Sequence, residues 1–188
     1  MICLIEVTLS TPRLSLITKA GLVIKTIFFT EKISEQFHKA LYDLIKDMKD
    51  ITFIFSQGPG SYTGLRLIEL FAFFLEKHQY KAYPFYYFEI PQFLNKQGSF
   101  ISYAYKQESF LYSWAQQEHH IHLIPYEKKE YKDVFILPGE EDRYPEAISI
   151  SLDMIIQAFP FIQETSRQLK AFYYRKESYE FKIPLQKS

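Results

Sequence analysis

The nine residues Gly58-Pro59-Gly60-Ser61-Tyr62-Thr63-Gly64-Leu65-Arg66 are the stretch whose residue types and spacing come nearest to chemistry. Two glycines and a proline favour a tight turn, and a hydroxyl just beyond it, Ser61 or Thr63, would cap a following helix. The free amides of that first turn could hold a phosphate near Ser61 to Thr63, although a purely structural turn needs the same residues. The stretch is not a P-loop, because the lysine of GxxxxGK[ST] is absent and Leu65 follows Gly64. Ser61 sits on a strand-turn-helix bend of the kind that exposes a nucleophile, but the G-x-S-x-G spacing is missing and no base is placed for it. Arg66 puts a cation against the helix dipole, so a carboxylate partner is expected for it, within the chain or across an interface.

His119, His120 and His122 with Glu118 form the other cluster of potential ligands. On a strand, His120 and His122 would share a face and His119 would point away, which gives at most two ligands where zinc takes three or four. A solvated histidine group and no metal site is the expectation. Trp114, with Tyr112 and Phe110 before it, lacks the basic neighbours of a base-stacking platform and reads as core or interface.

Composition bounds what these residues can serve. The 188 residues are 47% hydrophobic, enough for a real core in one large domain or two small ones. Lys plus Arg and Asp plus Glu are 22 each, so the formal net charge is +0 and no global field draws the chain to nucleic acid. If RNA is involved, another protein should supply most phosphate contacts. Cys3 is the only cysteine, which excludes an internal disulfide and any multi-cysteine zinc site. Neither a signal peptide nor a run of membrane-spanning length is evident, so a cytoplasmic protein is expected, with no membrane contact.

The elements that position the glycine turn follow from periodicity. Ile51 to Phe55 reads as a strand buried on both faces, and the helix after the turn should run to about His78. Before them come three strands, Ile2 to Val7, Arg13 to Lys19 and Leu22 to Phe29, with a hairpin turn at Ala20-Gly21. Between Glu31 and Asp50, Ile33, Phe37, Leu41, Leu44, Ile45 and Met48 recur at helical spacing. Ala82 to Phe85 can add a fifth strand, ahead of a short helical piece ending near Leu94. Three antiparallel strands and then a strand-helix-strand crossover predict an α/β fold with a mixed five-stranded sheet. Asn95-Lys96-Gln97-Gly98 is a polar break, which gives domains 1–95 and 96–188. The second half looks smaller and less regular: a hairpin over 99–105 and 108–116, short strands at 120–124 and 134–137, a helix over 148–159, and an extended piece at Phe172 to Arg175. No internal repeat is visible.

One helix is anomalous. From Leu65 to Leu75 only Arg66 and Glu69 are polar, so the helix after the glycine turn is apolar nearly all round. It is too short to span a bilayer, and its second apolar face needs protein against it, either another segment of this chain or a partner.

The stretch Gly58 to Arg66 resembles the GPGSFTGLR signature of the bacterial TsaB (YeaZ) family. Ile33-Ser34-Glu35 is similar to the family's His-Ser-Glu helix start, and Phe172 to Arg175 to its closing P-x-Y-L-R piece. The resemblance implies an actin-like ATPase (ASKHA-type) fold with a reduced second α/β subdomain and a C-terminal helix packing back toward the first. It implies a non-catalytic scaffolding and activating subunit that binds a TsaD-type transferase. That enzyme transfers threonylcarbamoyl to the adenosine next to the tRNA anticodon. A TsaE-type ATPase would join a larger complex, tRNA would be contacted only indirectly, and the isolated chain could form a homodimer. No intrinsic cofactor is implied, with room for ATP or ADP at the complex interface. Family members use their two N-terminal-domain helices for the partner, which would place Phe37, Leu41, Leu65, Ile68, Phe71, Ala72, Phe73, Phe74 and Leu75 at the contact.

Three departures from the family pattern bear on this. The I-D-T-S end of the first strand appears as Ile5-Glu6-Val7-Thr8-Leu9-Ser10, so the acid is shifted to Glu6 or lost to Val7. Ile68 and Glu69 replace the small residues that follow G-L-R. The D-A-R after the domain break reads Tyr103-Ala104-Tyr105. The competing function is an ATP-using or peptidase-like enzyme of the same superfamily.

Overall fold

The computed structural model describes residues 1–30, 33–48, 50–104, 107–115 and 118–165. Alternation along the first strand decides how its sheet is covered. In β1 (Ile2–Glu6) every residue is buried, with Cys3 and Ile5 facing one cluster and Ile2 and Leu4 another. β1 pairs antiparallel with β2 (Arg13–Ile17) and parallel with β4 (Thr52–Ser56). β2 continues to β3 (Val23–Phe28) across a turn in which Gly21 takes φ +87. β4 continues parallel to β5 (Ala82–Phe85). The order β3-β2-β1-β4-β5 makes β1 the middle strand, and the strand before the glycine turn lies one place from the edge.

Two helices cover one face of this sheet. α1 (Ile33–Ile45) buries Phe37, Leu41 and Leu44 and is shorter than the 31–50 pattern suggested. α2 (Tyr62–Lys77) buries Leu65, Leu67, Ile68, Phe71, Ala72 and Leu75. Both pack with Cys3, Ile5, Phe53 and Phe55, and the Phe71 ring meets those of Phe37, Phe53 and Phe55 edge-on.

The other face of the sheet shares its core with the second half of the chain. A 3-10 turn (Tyr87–Glu89) and the short α3 (Ile90–Phe93) lead out of β5. Then come β6 (Gly98–Tyr103), β7 (Glu108–Ala115), β8 (Glu118–Pro125), β9 (Val134–Ile136), β10 (Ile148–Ser149) and α4 (Leu152–Glu164). Ile2, Leu4 and Ile54 from the first sheet join Phe100, Phe110, Tyr112 and Phe135 from the second, with Ile155, Ala158 and Ile162 of α4, in one cluster.

The second half is more regular than its sequence suggested. Its sheet order, β8-β7-β6-β9-β10, repeats the first sheet's third-second-first-fourth-fifth pattern. β6, β7 and β8 are antiparallel and β6, β9 and β10 parallel, as in the first sheet. Between β8 and β9 and between β9 and β10, however, no helix stands where α1 and α2 stand in the first half. That is the sense in which the second α/β subdomain is reduced.

The helix expected over 148–159 also moves. Ile148–Ser149 is a strand parallel to β9, and Ser151 caps α4 by accepting from the Met154 N–H. α4 then carries Pro160 inside it rather than stopping before it. The 172–175 piece lies outside the described residues.

Candidate functional site

The glycine turn is built against the end of β1. The Ser61 N–H donates to the Thr8 carbonyl at 2.7 Å, and the Tyr87 N–H to the Gly58 carbonyl at 3.1 Å. A Cβ on Gly60 would lie 2.2 Å from the Thr8 carbonyl oxygen, and one on Gly64 2.1 Å from that of Val7. Two of the motif's glycines are therefore required by backbone against backbone, with no ligand between. The Gly58-Pro59 peptide is cis, and both residues are buried.

Ser61, not Thr63, is the helix cap: its Oγ accepts from the Gly64 N–H at 3.2 Å. Its hydroxyl and its amide thus both serve the turn. Thr63 is exposed. Arg66 lies over the Tyr62 ring at 5.1 Å from the centroid, so an aromatic face attends it where a carboxylate was expected.

Glu6 is one of the two positions offered for the displaced acid. It is fully buried, and the Arg13 guanidinium grips its carboxylate with both Nε and Nη2. The Tyr87 hydroxyl donates to Glu6 Oε1 at 2.7 Å. Burial, and then the neighbouring carboxylate, push the Tyr87 hydroxyl well above its ordinary value, so it remains a donor. Beside them Thr8 Oγ1 and Ser56 Oγ are 2.6 Å apart. β1, β2 and the 3-10 turn are tied together here, at the junction of the two halves. A carboxylate held by three protein donors acts as a strut between these elements.

The anomalous helix separates into two faces. Of the residues expected at a partner contact, Phe37, Leu41, Leu65, Ile68, Phe71, Ala72 and Leu75 are buried in the chain's own core, so they cannot also form an outer surface. Phe73 and Phe74 are not covered: they are 67% and 43% exposed, and Leu70 is 65% exposed. Leu70, Phe73 and Phe74 are three and four residues apart and so neighbours on one stripe. Phe74 extends it, its ring 4.5 Å from that of His78 and 6.1 Å from that of Tyr80. Tyr42 of α1 is a further large exposed side chain that sequence reasoning missed. α4 lies in the cluster on the opposite side of the sheet, not on this stripe.

The remaining candidates fall elsewhere. His120 and His122 lie on β8, an edge strand, with their rings stacked 6.1 Å apart, and His119 is at the register position opposite Trp114. Among the described residues no three or more potential ligands gather for a metal. Trp114 packs between Tyr112 and Phe135, its indole N–H on the Lys96 carbonyl. Tyr103, at the altered D-A-R position, carries the Arg143 guanidinium 4.1 Å over its ring. Among the described residues no helix is long and apolar enough to cross a membrane.

No family model matches the chain, and no curated protein matches it in sequence. Solved structures do. An uncharacterized protein with similarity to peptidase YEAZ, from Pseudomonas aeruginosa, superposes with TM-score 0.58 at 14% identity, covering 93% of this chain and 99% of that one. YeaZ from Pseudomonas aeruginosa gives TM-score 0.58 at 15% identity, over 92% and 98%. Two mixed five-stranded sheets that share one strand order, with more than nine-tenths of both chains aligned, give this protein the YeaZ-like α/β fold of the actin-like type.

Proposed function

We propose that this chain is a non-catalytic scaffolding and activating subunit for threonylcarbamoyl transfer to the adenosine next to the tRNA anticodon, acting by binding a TsaD-type transferase. The observation that carries this reading is the apolar stripe of Leu70, Phe73 and Phe74, open on a helix whose other face is already full. Large exposed apolar residues in a row mark a protein contact. At their present exposures, covering the three would contribute about 3–5 kcal/mol, enough to anchor an interface that other contacts complete. The YeaZ-like fold supports the choice of pathway at a coarse level. A TsaE-type ATPase joins the same assembly, any ATP or ADP sits at the complex interface, and tRNA is met chiefly through the transferase. Without its partner the stripe can pair with a second copy of the chain.

The enzymatic alternative finds less support. Ser61, the nucleophile candidate on the motif, has its hydroxyl and amide in the cap and turn, and Glu6 is closed off by Arg13 and Tyr87. The test is reconstitution of tRNA modification from purified transferase and ATPase, with and without this chain. Modification that depends on the chain, with no ATP turnover by the chain alone, is expected. Full modification without it, or ATP turnover by the isolated chain that a Glu6→Gln change abolishes, would overturn the reading.

A further inference from the structure

Glu140 lies in the turn between β9 and β10, and its side chain is turned inward. Oε1 accepts from the Tyr103 N–H at 3.0 Å and from the Ser102 hydroxyl at 3.4 Å, both on β6. Oε2 is buried with no hydrogen-bond partner among the described residues. Both donors favour the charged form, but they reach only one oxygen; a carboxylate would leave Oε2 buried with nothing to solvate its charge, and that burial favours the neutral carboxyl.

The cation that could neutralise it points elsewhere. Arg143 lies over the Tyr103 ring and only partly offsets the burial; Glu141, next in sequence, works against ionisation. Tyr144, also inward, shares its hydroxyl with Ser109 of β7 and stays protonated, being pushed well up by burial. Together these surroundings raise the Glu140 carboxyl to about 8, burial being the main cause.

The turn that Glu140 holds is a bridge. The Glu140 carbonyl accepts the N–H groups of Arg143 and Tyr144, closing the loop on itself. Gly139, at φ +88, backs onto Ser10 in the turn between β1 and β2: a Cβ there would lie 2.7 Å from Ser10 Oγ. One side chain on β6 and one glycine against the first sheet's turn thus link the two halves at this point.

We propose that Glu140 is a proton-controlled latch: protonated, it pins the 139–143 turn to β6 and against Ser10; deprotonated, it leaves its pocket and the turn swings about Gly139, away from β6 and Ser10. Tyr144, anchored on Ser109, stays behind as the far end of the moving piece.

The Tyr103 amide reports the latch directly, since its N–H is bound by Glu140. In the full chain its NMR cross-peak should titrate with a midpoint near 8. Opening releases the raised carboxyl into water, where its ordinary value of about 4.5 applies. Hydrogen exchange at Tyr103, relative to a Glu140→Gln variant, should therefore rise about tenfold per pH unit from 6 toward 8 and level off above. A flat ratio, or a Tyr103 titration that persists in Glu140→Gln, would overturn the proposal. If that variant does not fold, Ser102→Ala serves. It removes a donor that favours the charged form and should move the midpoint upward, so an unmoved midpoint refutes the latch.

Discussion

Replacing Arg13 by methionine removes the cation that grips Glu6 and leaves a carboxylate with no exposure at all inside the junction of the two halves. Breaking a buried ion pair from one side costs about 3–5 kcal/mol, because the abandoned charge keeps its desolvation penalty. Arg13 is 17% exposed, so some water reaches the gap, and about 3 kcal/mol is the better expectation. That is a large share of the 5–15 kcal/mol typical of a domain. Urea denaturation followed by circular dichroism measures it, with the slope checked for constancy. The double variant Glu6→Gln, Arg13→Met removes both charges and keeps an acceptor for the Tyr87 hydroxyl, so it should recover at least half of the loss. A cost for Arg13→Met below about 1 kcal/mol would refute the strut: Glu6 would then have another partner or access to solvent, and a ligand role for it would return.

Three further outcomes follow from the same geometry. Gly64→Ala places a methyl against the Val7 carbonyl, and Gly60→Ala one against that of Thr8; each should lower stability by about 3 kcal/mol or more in the same denaturation assay. Ser61→Ala loses the cap of α2 and should cost about 1 kcal/mol while leaving binding to the transferase unchanged in calorimetry. The Cys3 thiol is fully buried and pushed up to about 12, so a thiol reagent at pH 8 should label it only as fast as the chain unfolds, a rate that urea should raise in step with the unfolding rate.

How much the sequence revealed depended on how local each signal was. The first sheet, its order of elements and the glycine turn were legible because each strand and helix declares its own period and Gly-Pro-Gly admits few conformations. The two faces of α2 were legible too, had the spacing been followed residue by residue. Leu65, Ile68, Ala72 and Leu75 repeat at three and four, as do Leu70, Phe73 and Phe74 on the outside, so hydrophobicity alone merged two stripes that position separates. Glu6 was singled out as one place for the displaced acid, but its partners were not. Arg13 and Tyr87 meet it only through antiparallel pairing and an 81-residue separation, which no local pattern encodes.

The second sheet escaped for a different reason. Its topology repeats the first without repeating a sequence motif, since strand order is set by pairing and the pairing residues need only be apolar in alternation. β10 is two residues long and flanked by a helix, so its Ile148 and Ser149 were absorbed into the helical pattern. The helix expected over 148–159 ended just before Pro160, yet α4 runs on to Glu164, held by Ile155, Ala158 and Ile162 in the shared core. Tertiary packing there outweighs a local break.

The central claim is that the open stripe on α2 is where the transferase docks, and one titration addresses it. Calorimetry of the purified TsaD-type transferase with the wild-type chain and with the Phe73→Asp, Phe74→Asp variant, shown to be folded by its unchanged denaturation midpoint, compares the two dissociation constants. The loss of burial of the two rings, about 2–3 kcal/mol, predicts weakening of about 30- to 150-fold. Equal affinity for the two chains would contradict the account.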